Sequence, residues 1–359
     1  MLIDFRNKLN RLVKLMEDKG ASAIALTKRG NIGYLTGYED SPLAIVSGGS
    51  VKLIVPLLDY HRVVEALSED AIEVIPYSGY RIQTDVPNVI WGPGELENFI
   101  KGTVKGKVLV DAPSQYLKGL EVVDASEDIA LARAVKTSGE LEAIRRAIDI
   151  TLRVLRGIYS MNIAGLRERD IAAHIYGEFI RLGADEAAFT PIVGSGPNGA
   201  KPHHTFSDRV IEPGDYVVLD VGSRVNLYCS DVTRTLRTGP VNKVLEDALN
   251  AVVEASKEAL KAIKPGVKAS SVDIASRRVI EEYGFGKYYI HSLGHGVGVE
   301  VHERPNLSPT SQDVLAPGNV ITIEPGIYIR GLGGVRVENM VLVTDTGVEV
   351  LTRDELSYI

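Results

Sequence analysis

Apolar positions in the first 124 residues change period several times. In MLIDFRNKLNRLVKLMEDKG, Phe5, Leu9, Leu12 and Met16 recur at the spacing of one helix face, and charges interrupt every apolar run, so no secretory leader is expected. Short β-rich runs follow: AIALT at 23–27, LAIVS at 43–47, VKLIVP at 51–56 and KVLVD at 107–111. Helical patterns lie between them, which predicts a small α/β domain over 1–124. Helical spacing resumes over 138–158, making 124–138 the expected joint with a second, α+β domain over 125–359, in which strands, helices and Pro-Gly turns alternate. No stretch is long and apolar enough to span a membrane.

The second domain contains a repeat. EPGDYVVLDVG at 212–222 aligns without gaps with APGNVITIEPG at 316–326, an offset of 104 residues. In both, an acid, Asp220 or Glu324, interrupts an otherwise apolar strand, as a duplicated half-domain would produce. The first strand is expected to turn near Val225–Asn226 and return as YCSDVTRTLRT, setting Asp220 opposite Asp231. The second, ITIEPGIYI, turns through Gly331, Gly333 and Gly334 and returns as VRVENMVLV, with Glu324 and Glu338 each seven residues from Gly331. Like charges opposed on one face destabilise a sheet, and four bare carboxylates would repel or take up protons. Two divalent cations would neutralise them. Tyr228 and Thr233 flank Asp231 and are candidates to support it or to face a substrate.

Composition narrows the chemistry. Forty Lys+Arg against 47 Asp+Glu leave a formal charge of −7, which excludes the concentrated basic surface that nucleic acid or an anionic membrane requires. The single cysteine, Cys229, permits no intrachain disulfide and no Cys-based zinc site, so any metal is held by oxygen and nitrogen and a reducing cytoplasm is expected. Three of the seven histidines fall in HSLGHGVGVEVHE at 291–303. His295, between glycines that allow close approach of backbone and substrate, is the best-placed nitrogen ligand. Such a donor set accepts manganese or cobalt first, with zinc or iron as alternatives. GSGPNG at 194–199 fits a dinucleotide-binding string, yet Lys201-Pro202-His203 follows instead of a helix, so no such site is expected. His61 and His204 have no partner in the pattern and are read as surface or packing residues.

DVGSRVNLYCSDVTRT, HSLGHGVGVEVHERP, ITIEPGIY and GVRVEN, spread over about 200–340, resemble in order the motifs of the pita-bread metallopeptidases. NIGYLTGY at 31–38 is similar to the creatinase/prolidase-type N-terminal domain of some members. The resemblance implies a pita-bread domain with an internal pseudo-two-fold repeat, and two metal ions held by Asp220, Asp231, His295, Glu324 and Glu338. It places His203, within PNGAKPHHTFSDRVIEPGD, and also His302 and Arg336 beside the substrate, and gives His291 a supporting or pocket role. Strand alternation independently puts Arg336 on the face of Glu338. The activity implied is hydrolysis of the Xaa-Pro bond in dipeptides, as in the prolidase branch. Glu324 would move the proton, His203 and His302 would hold the oxyanion or substrate, and Arg336 would orient carboxylate groups. The alternatives are cleavage of longer Xaa-Pro peptides, as by aminopeptidase P, and non-catalytic peptide binding. Some dipeptidases carry arginine after the HExP segment, where this chain has Asn306, with Arg304 nearby as a possible substitute. A homodimer is also implied.

Overall fold

The computed structural model describes residues 3–67 and 69–353, which form two compact units, Met1–Arg133 and Ala134–Ile359. In the first, seven strands lie in the spatial order Ile90–Trp91, Ile72–Ser78, Ser50–Pro56, Leu43–Ser47, Ala23–Leu26, Val108–Val110 and Val122–Asp124. The two pairings on either side of Leu43–Ser47 are antiparallel and the rest parallel. Ala23–Leu26 is buried throughout, which is why it reads as an unbroken apolar run instead of an alternating one. Helix Phe5–Asp18 buries Phe5, Leu9, Leu12 and Met16, as its spacing predicts. The NIGYLTGY segment lies largely in the buried helix Arg29–Thr36, whose chain leaves through Gly37 in the left-handed conformation, φ 72°. Arg11 donates to the Ala132 carbonyl and Lys19 pairs with Asp128, each within this unit, so helix Ser126–Ala134 is tied to it and the chain leaves at Arg133.

The second unit begins with helix Ser138–Tyr159, capped reciprocally by Thr137 and Glu140. Helix Glu168–Leu182 follows, and then the strand pair Tyr216–Val221 and Val232–Arg237. The pattern recurs with helices Lys243–Ala262 and Ala269–Glu282 and the pair Val320–Ile323 and Asn339–Val343. This helix, helix, strand-pair order, met twice, is the architectural form of the sequence repeat. Ile321, Ile323, Val341 and Val343 pack into one apolar cluster with Ala259, Ile263 and Val272, and Val335 and Val337 into another with Leu245, Ala248 and Val252. Alternation therefore turns Glu324, Arg336 and Glu338 away from the helices.

The first hairpin corrects the expected register. Its turn is Asn226-Leu227, both at positive φ (49° and 73°), so Asp220 pairs with Thr233 and not with Asp231. A type I′ two-residue hairpin turn, whose twist matches that of the strands, requires positive φ at both central positions, which asparagine accepts readily and leucine rarely. Moving the centre by one residue moves each partner by two, so Asp231 stays on the face of Asp220. In the second half, Ile323↔Asn339 and Gly326↔Arg336 belong to one register, which keeps Glu324 opposite Glu338 across the intervening break.

Candidate metal centre

Asp220 is next to last in one strand and Asp231 precedes its partner; Glu324 and Glu338 occupy the corresponding break in the second pair. His295 enters on the short strand Gly294–Gly296. The glycines on either side serve the backbone: a Cβ at Gly294 would sit 2.1 Å from the Thr322 carbonyl oxygen, and one at Gly296 2.1 Å from that of Arg304. They let the strand fit between its neighbours, so closeness to substrate is not what requires them. His295 Nδ1 lies 3.0 Å from the Gly296 carbonyl. A carbonyl only accepts, so Nδ1 carries a hydrogen and Nε2 is the nitrogen left to face the carboxylates, where a bound cation would displace its proton. That nitrogen faces Glu324 Oε1 at 3.3 Å and Asp231 Oδ2 at 3.6 Å.

Asp231, His295 and Glu338 each offer one donor atom within 4.8 Å of the others. Asp220 Oδ1 and Glu338 Oε1 are buried without a hydrogen-bond partner. Leaving such atoms unsatisfied is costly, and a hard cation supplies what they lack. The donor set thus fits divalent metal. Its protonation behaviour is what crowding dictates. Burial, reinforced by Glu324 and Asp220, pushes the Glu338 carboxyl up to about 8. Burial and then Glu338 raise Asp231 well above its ordinary value. Burial also raises Asp220, while Arg336, whose guanidinium donates to Asp220 Oδ2 at 2.6 Å, opposes the shift. Glu324 goes the other way: burial works against its charge, but the contact with His295 outweighs it. Burial lowers His295, yet Glu324 raises it overall to about 9. Protons and cations compete for the same oxygens here.

Asp220, Asp231 and Glu324 open into a cavity of about 740 Å³ lined also by His203, His291, His302, Arg304, Tyr328 and Arg336. The His302 and His295 rings lie 4.2 Å apart, and burial, followed by His295, holds His302 below its ordinary pKa. Arg336 is buried and donates to Asp220, to Thr233 Oγ1 at 3.0 Å and to the Tyr328 hydroxyl at 2.7 Å. Thr233 in turn donates to Glu338 Oε2 at 2.8 Å, so it joins the cluster. Tyr228 does not: its hydroxyl donates to Glu140, outside the cavity lining.

Sequence reasoning passed over Tyr328, whose hydroxyl meets both Arg336 and His291 Nε2, the latter at 3.0 Å. Its place four residues beyond Glu324, at the even spacing of one strand face, was the available signal. His204 also differs from expectation, since Nε2 lies 2.8 Å from Glu168 Oε2. His61 lies in the first unit, edge-on to Tyr60. GSGPNG forms the end of a strand and a short 3₁₀ turn, with no helix after it.

Residues 142–345 match metallopeptidase family M24, and residues 8–135 match the creatinase/prolidase N-terminal domain. An Xaa-Pro dipeptidase of Pyrococcus furiosus is 37% identical over 356 residues, covering 98% of this chain and 99% of that protein. Among solved structures, the prolidase from Pyrococcus horikoshii OT3 superposes with a TM-score of 0.84 at 32% identity, covering 98% and 99% of the two chains. The X-Pro aminopeptidase from Thermotoga maritima gives 0.87 at 29% identity, with the same coverages.

Proposed function

Because the chain belongs to metallopeptidase family M24 and carries the creatinase/prolidase N-terminal domain, we propose that it is a metal-dependent Xaa-Pro dipeptidase. The observation that carries this reading is that Asp220, Asp231, Glu324 and His295 line one cavity large enough for a dipeptide, with the Glu338 carboxylate within metal-sharing distance of Asp231 and His295. Asp220, Asp231, His295, Glu324 and Glu338 would hold two divalent ions, manganese or cobalt before zinc or iron. Bound there, such ions polarise a carbonyl and make water a better nucleophile near neutral pH.

The remaining work falls to this chain's own side chains. Glu324, whose Oε1 lies 3.3 Å from His295 Nε2 at the cavity wall, would accept and return a proton at a carboxylate oxygen. His203 and His302 reach into the cavity as donors to the substrate oxygen on which negative charge develops. Arg336 is fixed by three side-chain acceptors, Asp220, Thr233 and Tyr328, and by the Pro202 carbonyl, and so presents an oriented cation to substrate carboxylate. Proline has no N–H and a fixed φ, which gives a shaped cavity a difference to select. We also expect a cytoplasmic homodimer; among the described residues no helix is long and apolar enough to cross a membrane.

The deciding experiment compares kcat/KM for matched Xaa-Pro and Xaa-Ala dipeptides and for Xaa-Pro-Yaa tripeptides. A strong preference for Xaa-Pro dipeptides is expected. Equal values for Xaa-Pro and Xaa-Ala would remove the proline-specific reading, and a preference for tripeptides would move the activity to aminopeptidase P.

A further inference from the structure

Glu168 opens helix Glu168–Leu182, and its side chain is fully buried. Its Oε1 accepts from Ser195 N at 2.8 Å, Ser195 Oγ at 2.7 Å and Asn198 Nδ2 at 3.1 Å. Its Oε2 accepts from Ser207 N at 2.9 Å, Ser207 Oγ at 2.6 Å and His204 Nε2 at 2.8 Å. One carboxylate therefore ties down the beginning and the end of segment 195–207 together with two residues between them. An ionised carboxylate is acceptor-only, which obliges His204 to present Nε2–H and leaves none of the other donors unmet. Burial opposes the charge, but the hydrogen bonds from Ser207, His204 and Ser195 outweigh it and hold Glu168 down at about 2.

The neighbour of His204 is His203, and the two diverge: His204 is turned to Glu168, whereas His203 lines the metal-centre cavity. Pro202 lines that cavity too, and its carbonyl oxygen accepts from Arg336 at 3.4 Å. Anchoring His204 thus sets the chain direction from which His203 projects.

We propose that Glu168 is a positioning residue for the peptidase reaction, holding segment 195–207 through Ser195, His204 and Ser207 so that His203 faces the substrate. This rests on the reading of His203 as a substrate-side donor. Glu168→Gln replaces one acceptor oxygen with an NH2 that must face N–H donors, so the segment loses its common anchor.

The test is a double-mutant cycle on kcat for an Xaa-Pro dipeptide, with metal content measured alongside. Glu168→Gln is expected to lower kcat roughly 10- to 100-fold, in the range that small misplacements of reacting groups cause, with metal stoichiometry unchanged. In the His203→Ala background the same change should lower kcat by no more than about twofold, because the group it positions is gone. If the two losses multiply, or Glu168→Gln keeps wild-type kcat, the inference is overturned. Should Glu168→Gln fail to fold, His204→Gln takes its place in the cycle, with a smaller expected loss that again disappears without His203. Hydrogen exchange supplies a readout independent of activity. Amides of 196–207 should exchange faster in the variant while those of 216–221 do not, and unchanged exchange overturns the inference. If exchange responds but the wild-type enzyme cleaves no Xaa-Pro substrate, the anchoring role stands and the substrate assignment falls.

Discussion

At His295 one hydrogen bond decides the chemistry. The Gly296 carbonyl fixes the hydrogen on Nδ1 and leaves Nε2 toward Asp231 and Glu324, whereas His302, 4.2 Å away ring to ring, lines the cavity. His295→Ala should therefore weaken at least one bound ion, with partial rescue by excess metal. His302→Ala should keep full metal content and lose roughly 10²–10³-fold in kcat, as oxyanion donors do. Elemental analysis beside kinetics separates the two, and the opposite pattern would reverse the roles. His291→Ala, which removes a partner of Tyr328, should act more mildly on both quantities. Glu168 makes a pH prediction. Its folded-state pKa of about 2 lies below the ordinary 4.5, so its contribution, about 3 kcal/mol, is complete above the unfolded value and is lost as pH falls toward 2. Between pH 5 and pH 3 the wild type should lose more stability than Glu168→Gln, as read by denaturant midpoints. Parallel losses would show that the carboxylate carries no such linkage.

Among the elements, the first hairpin depends on two local features. Asn226-Leu227 sets the register, and Gly222 lets the two strands cross closely near Asp231: a Cβ there would stand 2.0 Å from the Ser230 carbonyl oxygen and 2.7 Å from the Phe189 ring. A backbone oxygen cannot rotate aside as a side chain can. Gly222→Ala is thus expected to cost at least about 2 kcal/mol and to lower metal occupancy, because the displaced strand carries Asp231. Titration calorimetry with manganese and urea midpoints check both effects. Wild-type values for the two would mean that the crossing tolerates far more separation than its geometry suggests.

For the whole molecule, the described residues that line the cavity all belong to Ala134–Ile359. Cations bound by the folded carboxylates stabilise that unit by mass action, about 2.7 kcal/mol at a hundred times Kd. Chelation should accordingly lower the thermal midpoint and abolish hydrolysis, and about two ions per chain should restore both. The added protection in hydrogen exchange should fall on 216–237, 294–307 and 320–343 and not on the strands of the first unit. A midpoint indifferent to chelator, with activity intact, would remove the metal from both the fold and the reaction.

Period and composition in the sequence were enough to determine the broad classes of the two domains, the helix faces, the repeat and the placing of Asp220, Asp231, Glu324 and Glu338 on one side of their strands, because face is a matter of parity along a strand. An early placement of the turn could not disturb that, since a two-residue shift preserves parity. Tertiary structure alone decided which residue opposes Asp220, since that depends on the left-handed turn at Asn226-Leu227. It also decided that Tyr228 turns to Glu140, that Tyr328 joins Arg336 and His291, and that Glu168 gathers donors from a segment some thirty residues on. Hydrogen bonds of this kind join residues far apart in the chain and leave no periodic trace in it. Their partners become defined only when the helices, strands and loops that carry them pack together.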